Sequence, residues 1–88
     1  MVTREITVVN NLGIHARPAS LIVQAAMKFK ADVTLVNDTA EADAKSIMNV
    51  MMLAAGKNAK VSIRAKGPDE VEAVDTIAHL FASKFNEE

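Results

Sequence analysis

Residues 3–9 place Ile6 and Val8 on one side of an extended chain and Thr7 and Val9 on the other, a β-branched run that predicts a first strand. Asn10-Asn11-Leu12-Gly13 breaks it. From Ala16 to Phe29 the residues Leu21, Ile22, Ala25, Ala26 and Phe29 recur at three- and four-residue spacing, which predicts a helix with one buried face and Pro18 in its first turn. Val33-Thr34-Leu35-Val36, closed by Asn37-Asp38, and then Ala40-Glu41-Ala42-Asp43-Ala44 read as a hairpin whose second strand is polar and edge-like.

Ser46 to Ala55 is apolar at almost every position and predicts a short helix stopped by Gly56. Val61, Ile63 and Ala65 alternate with Ser62, Arg64 and Lys66 as a last strand. After Gly67-Pro68 a final helix opens on Asp69-Glu70, whose carboxylates suit the positive end of the helix dipole, and carries Val71, Val74, Ile77, Ala78 and Phe81 as its buried stripe up to about Phe85. The order is βαββαβα, and the fold class is α+β: one antiparallel sheet with the helices on one face, in a single domain over residues 1–88.

Composition narrows the chemistry. A chain of 88 residues buries only about 60% of its unfolded surface and has no space for a deep cavity, so any site lies near the surface. Half of the residues are apolar and the net charge is −1, as in ordinary soluble domains. With no Trp or Tyr and three Phe, the stacking platforms and basic stripe of a nucleic-acid binder are missing. Without cysteine, disulfides, thiol chemistry and CxxC metal motifs drop out, and no cofactor or metal is expected. The first nine residues carry charge and are far too short for a signal or membrane-spanning segment, so a cytosolic protein with no membrane insertion is expected.

The segment Asn11-Leu12-Gly13-Ile14-His15-Ala16-Arg17-Pro18-Ala19-Ser20 puts a histidine at the mouth of a helix and an arginine two residues on. A helix N-terminus offers unpaired amides and about half a positive charge, Arg17 adds a planar multi-donor cation, and Pro18 costs nothing in a first turn. Imidazole, with a reference pKa of about 6.5, attacks phosphorus without a separate base. His15 is thus a candidate phosphoryl acceptor, with the backbone of Ala16, Arg17 and Pro18 and the Arg17 side chain as candidate phosphate holders. The plainer reading, a polar capping histidine beside a solvated arginine, is the common case for a lone loop histidine. His79, between Ala78 and Leu80 with no neighbouring anion site, reads as structural or solvent-facing.

Ser46 stands at the natural N-cap of the short helix in Ala44-Lys45-Ser46-Ile47-Met48-Asn49-Val50-Met51-Met52-Leu53, and capping alone would justify a serine there. A phosphate on it would add nearly two negative charges to the surrounding surface. One rotation of this helix buries Asn49, Val50, Leu53 and Ala54 and turns Ile47, Met48, Met51 and Met52 outward; the opposite rotation exposes Leu53. An outward methionine cluster suits a surface that fits several partners in turn, whereas an inward one is only core filler.

Gly13-Ile14-His15-Ala16-Arg17-Pro18-Ala19, Lys45-Ser46-Ile47-Met48 and Gly67-Pro68-Asp69-Glu70 together resemble the HPr family, the histidine-containing phosphocarriers of the bacterial phosphoenolpyruvate-dependent sugar phosphotransferase system. The resemblance runs through nearly the whole chain. It implies an open-faced β-sandwich with sheet order 1-4-2-3. It also implies phosphorylation of His15 at Nδ1 by Enzyme I and onward transfer to Enzyme IIA domains, by a carrier that turns nothing over alone. The implied partner surface joins Ser20, Leu21, Gln24 and Met27 to Ile47, Met48, Met51 and Met52, on a monomer. Part of the family is phosphorylated at Ser46 by an HPr kinase/phosphorylase, which weakens transfer and engages a transcriptional regulator.

Two positions depart from the family pattern: Asn49 and Ala54 stand where glycine is common, which bears on partner preference rather than on phosphorylation. The histidine argues for a working carrier and against the branch that replaces it; the nitrogen-related branch keeps it. A regulatory module acting through Ser46 and the methionines, and a small anion-binding domain without transfer, are the competing functions. Covalent labelling and binding in the His15 and Ser46 variants separate the three.

Overall fold

A computed structural model describes residues 1–10, 13–38, 40–53 and 55–86; Asn11, Leu12 and Ala54 of the motifs above lie outside the described residues. The elements are β1 (Val2–Thr7), α1 (Ala16–Ala26), β2 (Asp32–Val36), β3 (Glu41–Asp43), α2 (Ile47–Met52), β4 (Lys60–Lys66) and α3 (Glu70–Ala82), with a 3₁₀ turn at Lys84–Asn86. The sheet is antiparallel in the order β1-β4-β2-β3. Its pairing brings Val33 opposite Ala65, and Leu35 opposite both Ile63 and Ala42. These residues are buried with Val61, while Thr34, Glu41, Asp43, Ser62 and Arg64 of the same strands keep solvent access. The period of two therefore builds an open sheet, apolar on its helical side and polar on the other.

α3 packs across β1 and β4, and α1 packs against both α3 and α2. Ile22, Ala25 and Ala26 of α1 meet Ala73, Val74, Ile77 and Phe81 of α3 over the sheet in one continuous core. The order βαββαβα and the 1-4-2-3 sheet are as expected, and the differences lie at element ends and faces. β1 stops at Thr7 rather than residue 9 because its partner strand turns away: Asn58, at φ 74°, donates to the Val8 carbonyl, and Val8 donates to Ala59. α1 ends at Ala26, before Phe29. The amides of Lys28 and Phe29 reach back only three residues, to Ala25 and Ala26, so a tightened turn carries Phe29 to the core edge.

Two faces are corrected. Val71 is 56% exposed and Ala73 takes its place in the buried stripe of α3, since Val74, Ile77, Ala78 and Phe81 centre the stripe away from position 71. The rotation of α2 that turns the methionines outward places Asn49 inward with Val50 and Leu53; in the structure Val50 and Leu53 are buried and Asn49 is exposed. A six-residue helix needs only those two apolar anchors to cover the sheet, and the carboxamide is better placed in water.

Candidate functional site

The loop ahead of α1 is built by hydrogen bonds before any helix begins. Asn10 is fully buried, and its Nδ2 donates to the Gly13 carbonyl at 2.7 Å while Gly13 N donates back to the Asn10 carbonyl at 3.2 Å. Gly13 adopts φ 66°, a conformation only glycine enters without strain, and a Cβ there would collide with the Ala55 carbonyl oxygen. Ile14 N donates to that oxygen at 2.9 Å. The segment leading to the histidine is thus sewn to the chain just beyond α2.

His15 follows as the N-cap of α1, in extended backbone (φ −106°, ψ −168°), and its carbonyl accepts from Ala19 N at 2.9 Å. Its half-buried side chain makes no capping hydrogen bond. By helix geometry the amides of Ala16 and Arg17 have no intrahelical acceptor. Pro18, buried in the first turn, has no N–H to satisfy. No acidic residue stands in that turn, so the positive end of the helix is not neutralised by its own sequence.

Arg17 is exposed, and its Nη1 donates to the Phe85 carbonyl at 2.8 Å. The guanidinium therefore ties the start of α1 to the end of the chain, a contact that the motif did not announce. The donor, planar and permanently charged, has five N–H groups in all. His79 is exposed in the last turn of α3.

The second motif lies beside the first through the packing of α1 on α2. Ser46 is the N-cap of α2 and its Oγ accepts from Asn49 N. Lys45 Nζ donates to the Phe29 carbonyl at 3.0 Å, fastening the residue ahead of the α2 cap to the turn that follows α1. Met27, Met48 and Met52 are 63%, 68% and 75% exposed, with Ile47 and Met51 exposed as well. On α1, Ser20 and Leu21 are half-buried and Gln24 is exposed, its Nε2 bonded to Ser20 Oγ at 3.1 Å. The outward rotation of α2 is the one adopted. An apolar, thioether-rich surface results, larger than scattered exposure of single side chains.

Among the described residues no group of His, Cys, Asp or Glu is arranged to hold a metal ion, and no helix is long and apolar enough to cross a membrane.

The family model described as "PTS HPr component phosphorylation site" matches residues 2–83. The chain is 50% identical to a phosphocarrier protein HPr of Treponema pallidum, over all of both chains. It is 44% identical to one from Cupriavidus necator, over 99% of this chain and 98% of the other. The crystal structure of an HPr from Thermoanaerobacter tengcongensis superposes with a TM-score of 0.95 at 41% identity, covering 100% of this chain and 99% of that one. With the family's phosphorylation-site pattern spanning nearly every element of the sheet and helices just described, this chain belongs to the HPr family of phosphotransferase-system phosphocarriers.

Proposed function

We propose that the chain is a single cytoplasmic carrier domain that accepts a phosphoryl group from phospho-Enzyme I on Nδ1 of His15 and donates it to Enzyme IIA domains during sugar uptake. The observation that carries this reading is the placement of a half-buried imidazole at the N-cap of α1, with no carboxylate in the first turn and an arginine two residues on. In the accepting step the Nδ1 lone pair attacks phosphorus, the N–P bond forms, and the bond to the donor nitrogen of Enzyme I breaks. The Ala16 and Arg17 amides and the Arg17 guanidinium hold the nonbridging oxygens. Onward transfer is the reverse displacement on a IIA nucleophile, so the carrier ends unchanged and acts stoichiometrically rather than as an enzyme.

The surface made by Ser20, Leu21, Gln24, Met27, Ile47, Met48, Met51 and Met52 serves both partners in turn, and adaptable thioethers suit that double use. Ser46 adjoins this surface and is its regulatory phosphorylation site, read by an HPr kinase/phosphorylase and a transcriptional regulator. A seryl phosphate there sets a dianion beside an apolar contact area.

Incubation with phosphoenolpyruvate and Enzyme I tests the carrier role. It should yield an intact-mass gain of one phosphoryl group, acid-labile and alkali-stable, that is lost in His15→Ala. No gain in a mixture that phosphorylates another HPr overturns it. Partner binding that persists in His15→Ala and disappears in Ser46→Ala would instead favour a purely regulatory module.

A further inference from the structure

The side chain of Asn49 is a position the family resemblance marks as a departure, and the structure gives it a specific partner. Its Nδ2 donates to Ser46 Oγ at 3.1 Å, while its own backbone N donates to the same oxygen at 3.3 Å. A residue at this third helical position ordinarily reaches back to the backbone N–H of the cap. Here that N–H already donates to the Asp43 carbonyl at 3.0 Å, so the carboxamide turns to the hydroxyl instead.

A serine oxygen has two lone pairs and one proton. With two donors on it, both lone pairs of Ser46 Oγ are engaged. We propose that Asn49 is a positioning residue that restrains Ser46 as a nucleophile, so that this chain is phosphorylated on Ser46 more slowly than one lacking a donor at position 49. The proposal rests on the reading of Ser46 as a phosphorylation site.

In the step concerned, an Oγ lone pair attacks the γ-phosphorus of a nucleoside triphosphate. The Oγ–P bond forms, the bond to the nucleoside diphosphate breaks, and the hydroxyl proton passes to a base of the kinase. In a loose phosphoryl-transfer transition state the proton is still largely on the oxygen, so one of the two engaged lone pairs must be released toward phosphorus. The backbone donor is fixed by the start of α2, so the donor that must yield is the carboxamide. Asn49 is exposed, which leaves its side chain free of packing that would hold it elsewhere and lets water compete for it. The restraint is accordingly modest, about three- to ten-fold in rate, as for one net hydrogen bond.

The test is the steady-state rate of Ser46 phosphorylation by an HPr kinase/phosphorylase with ATP on the full chain. The variants are Asn49→Ala and the near-isosteric Asn49→Leu, each checked for an unchanged melting profile, and Ser46→Ala, checked for a cooperative melt because it gives up the cap of α2. Both Asn49 variants should raise kcat by about three- to ten-fold with KM unchanged, because the restraint acts on the chemical step and not on docking. Ser46→Ala should take no label. Label on Ser46 at equal or lower kcat in both Asn49 variants, or a change confined to KM, overturns the proposal and leaves Ser46 as the site. Absence of label from every variant, with a kinase active on another HPr, overturns the Ser46 reading and the restraint with it.

Discussion

The Arg17 guanidinium and the Phe85 carbonyl, 68 positions apart in the chain, meet at 2.8 Å. Lys84 and Phe85 both sit at φ 56°, in the left-handed region, at a cost of about 1–2 kcal/mol each for residues with a Cβ. Fully burying a phenylalanine ring contributes about 3 kcal/mol. The Phe85 ring is fully buried and packs edge-on against Phe81 at 4.9 Å between centroids. Burial and strain are thus closely matched, so the Arg17 bond adds a margin that holds the segment in place. Arg17→Ala should lower stability by about 1 kcal/mol, a fall of about 4–8 °C in Tm for a chain of this size, with hydrogen exchange quickening at residues 84–86 before elsewhere. An unchanged Tm and unchanged exchange would show that residues 84–86 stay seated without the Arg17 bond.

Gly13 joins the histidine loop to the segment after α2, and its substitution should be felt at both. At φ 66°, with the Ala55 carbonyl oxygen in the way of any Cβ, Gly13→Ala should cost about 2 kcal/mol or more, since the strain of the backbone adds to the collision. Gly56→Ala, where a Cβ meets nothing within 4 Å, is the matched control and should change stability by less than about 1 kcal/mol. Thermal or urea unfolding of the pair checks both values.

The regular part of this fold was legible because it is periodic. Val61, Ile63 and Ala65 alternate and line the core, and Ile22, Ala25 and Ala26 mark the inner face of α1 as their spacing required. Ser46 as N-cap could be read from its place ahead of an apolar run. Position 49 was not legible. Over six residues a helix completes fewer than about two turns, so several rotations satisfy the same apolar residues, and only the sheet beneath decides among them. Val71 failed for a related reason: apolar character on a rim position says nothing about which residue is central. The Arg17–Phe85 and Asp69–Ala31 contacts span 68 and 38 residues, and no local pattern encodes a hydrogen bond to a distant main-chain atom.

Asp69 should contribute to the acid limb of stability. Its carboxylate makes no capping bond to α3 and instead accepts from Lys30 N at 2.9 Å and Ala31 N at 2.8 Å, clamping the turn between α1 and β2. The Lys30 amide first, with the Ala31 amide in support, holds its pKa below the usual carboxylate value against the opposing effect of burial. A group whose folded pKa is depressed stabilises the fold above its unfolded pKa and loses that contribution as pH falls through the folded value. Asp69→Asn should therefore lower Tm at neutral pH and flatten the decline of Tm below about pH 5. Glu70, depressed by the Gly67 amide and then by the Met1 ammonium, leaves a residual acid slope in that variant. Parallel acid limbs for the two proteins would remove Asp69 from this role.

The methionine surface is separable from the fold, because Met48 and Met52 are largely in solvent while Val50 and Leu53 anchor α2 from beneath. Replacing a thioether by a carboxylate there leaves the core intact and places a charge that any apolar partner must desolvate. Met48→Glu should shift stability by no more than about 0.5 kcal/mol. Transfer from phosphorylated His15 to an Enzyme IIA domain should nevertheless fall about ten-fold or more, as for loss of a central contact residue. The reverse pattern is expected of Val50→Ala: a loss of about 1–3 kcal/mol in stability, with transfer preserved at temperatures where the variant is folded. Stopped-flow transfer rates read beside melting curves distinguish the two. Wild-type transfer by Met48→Glu would mean that partners dock elsewhere than on the outward face of α2.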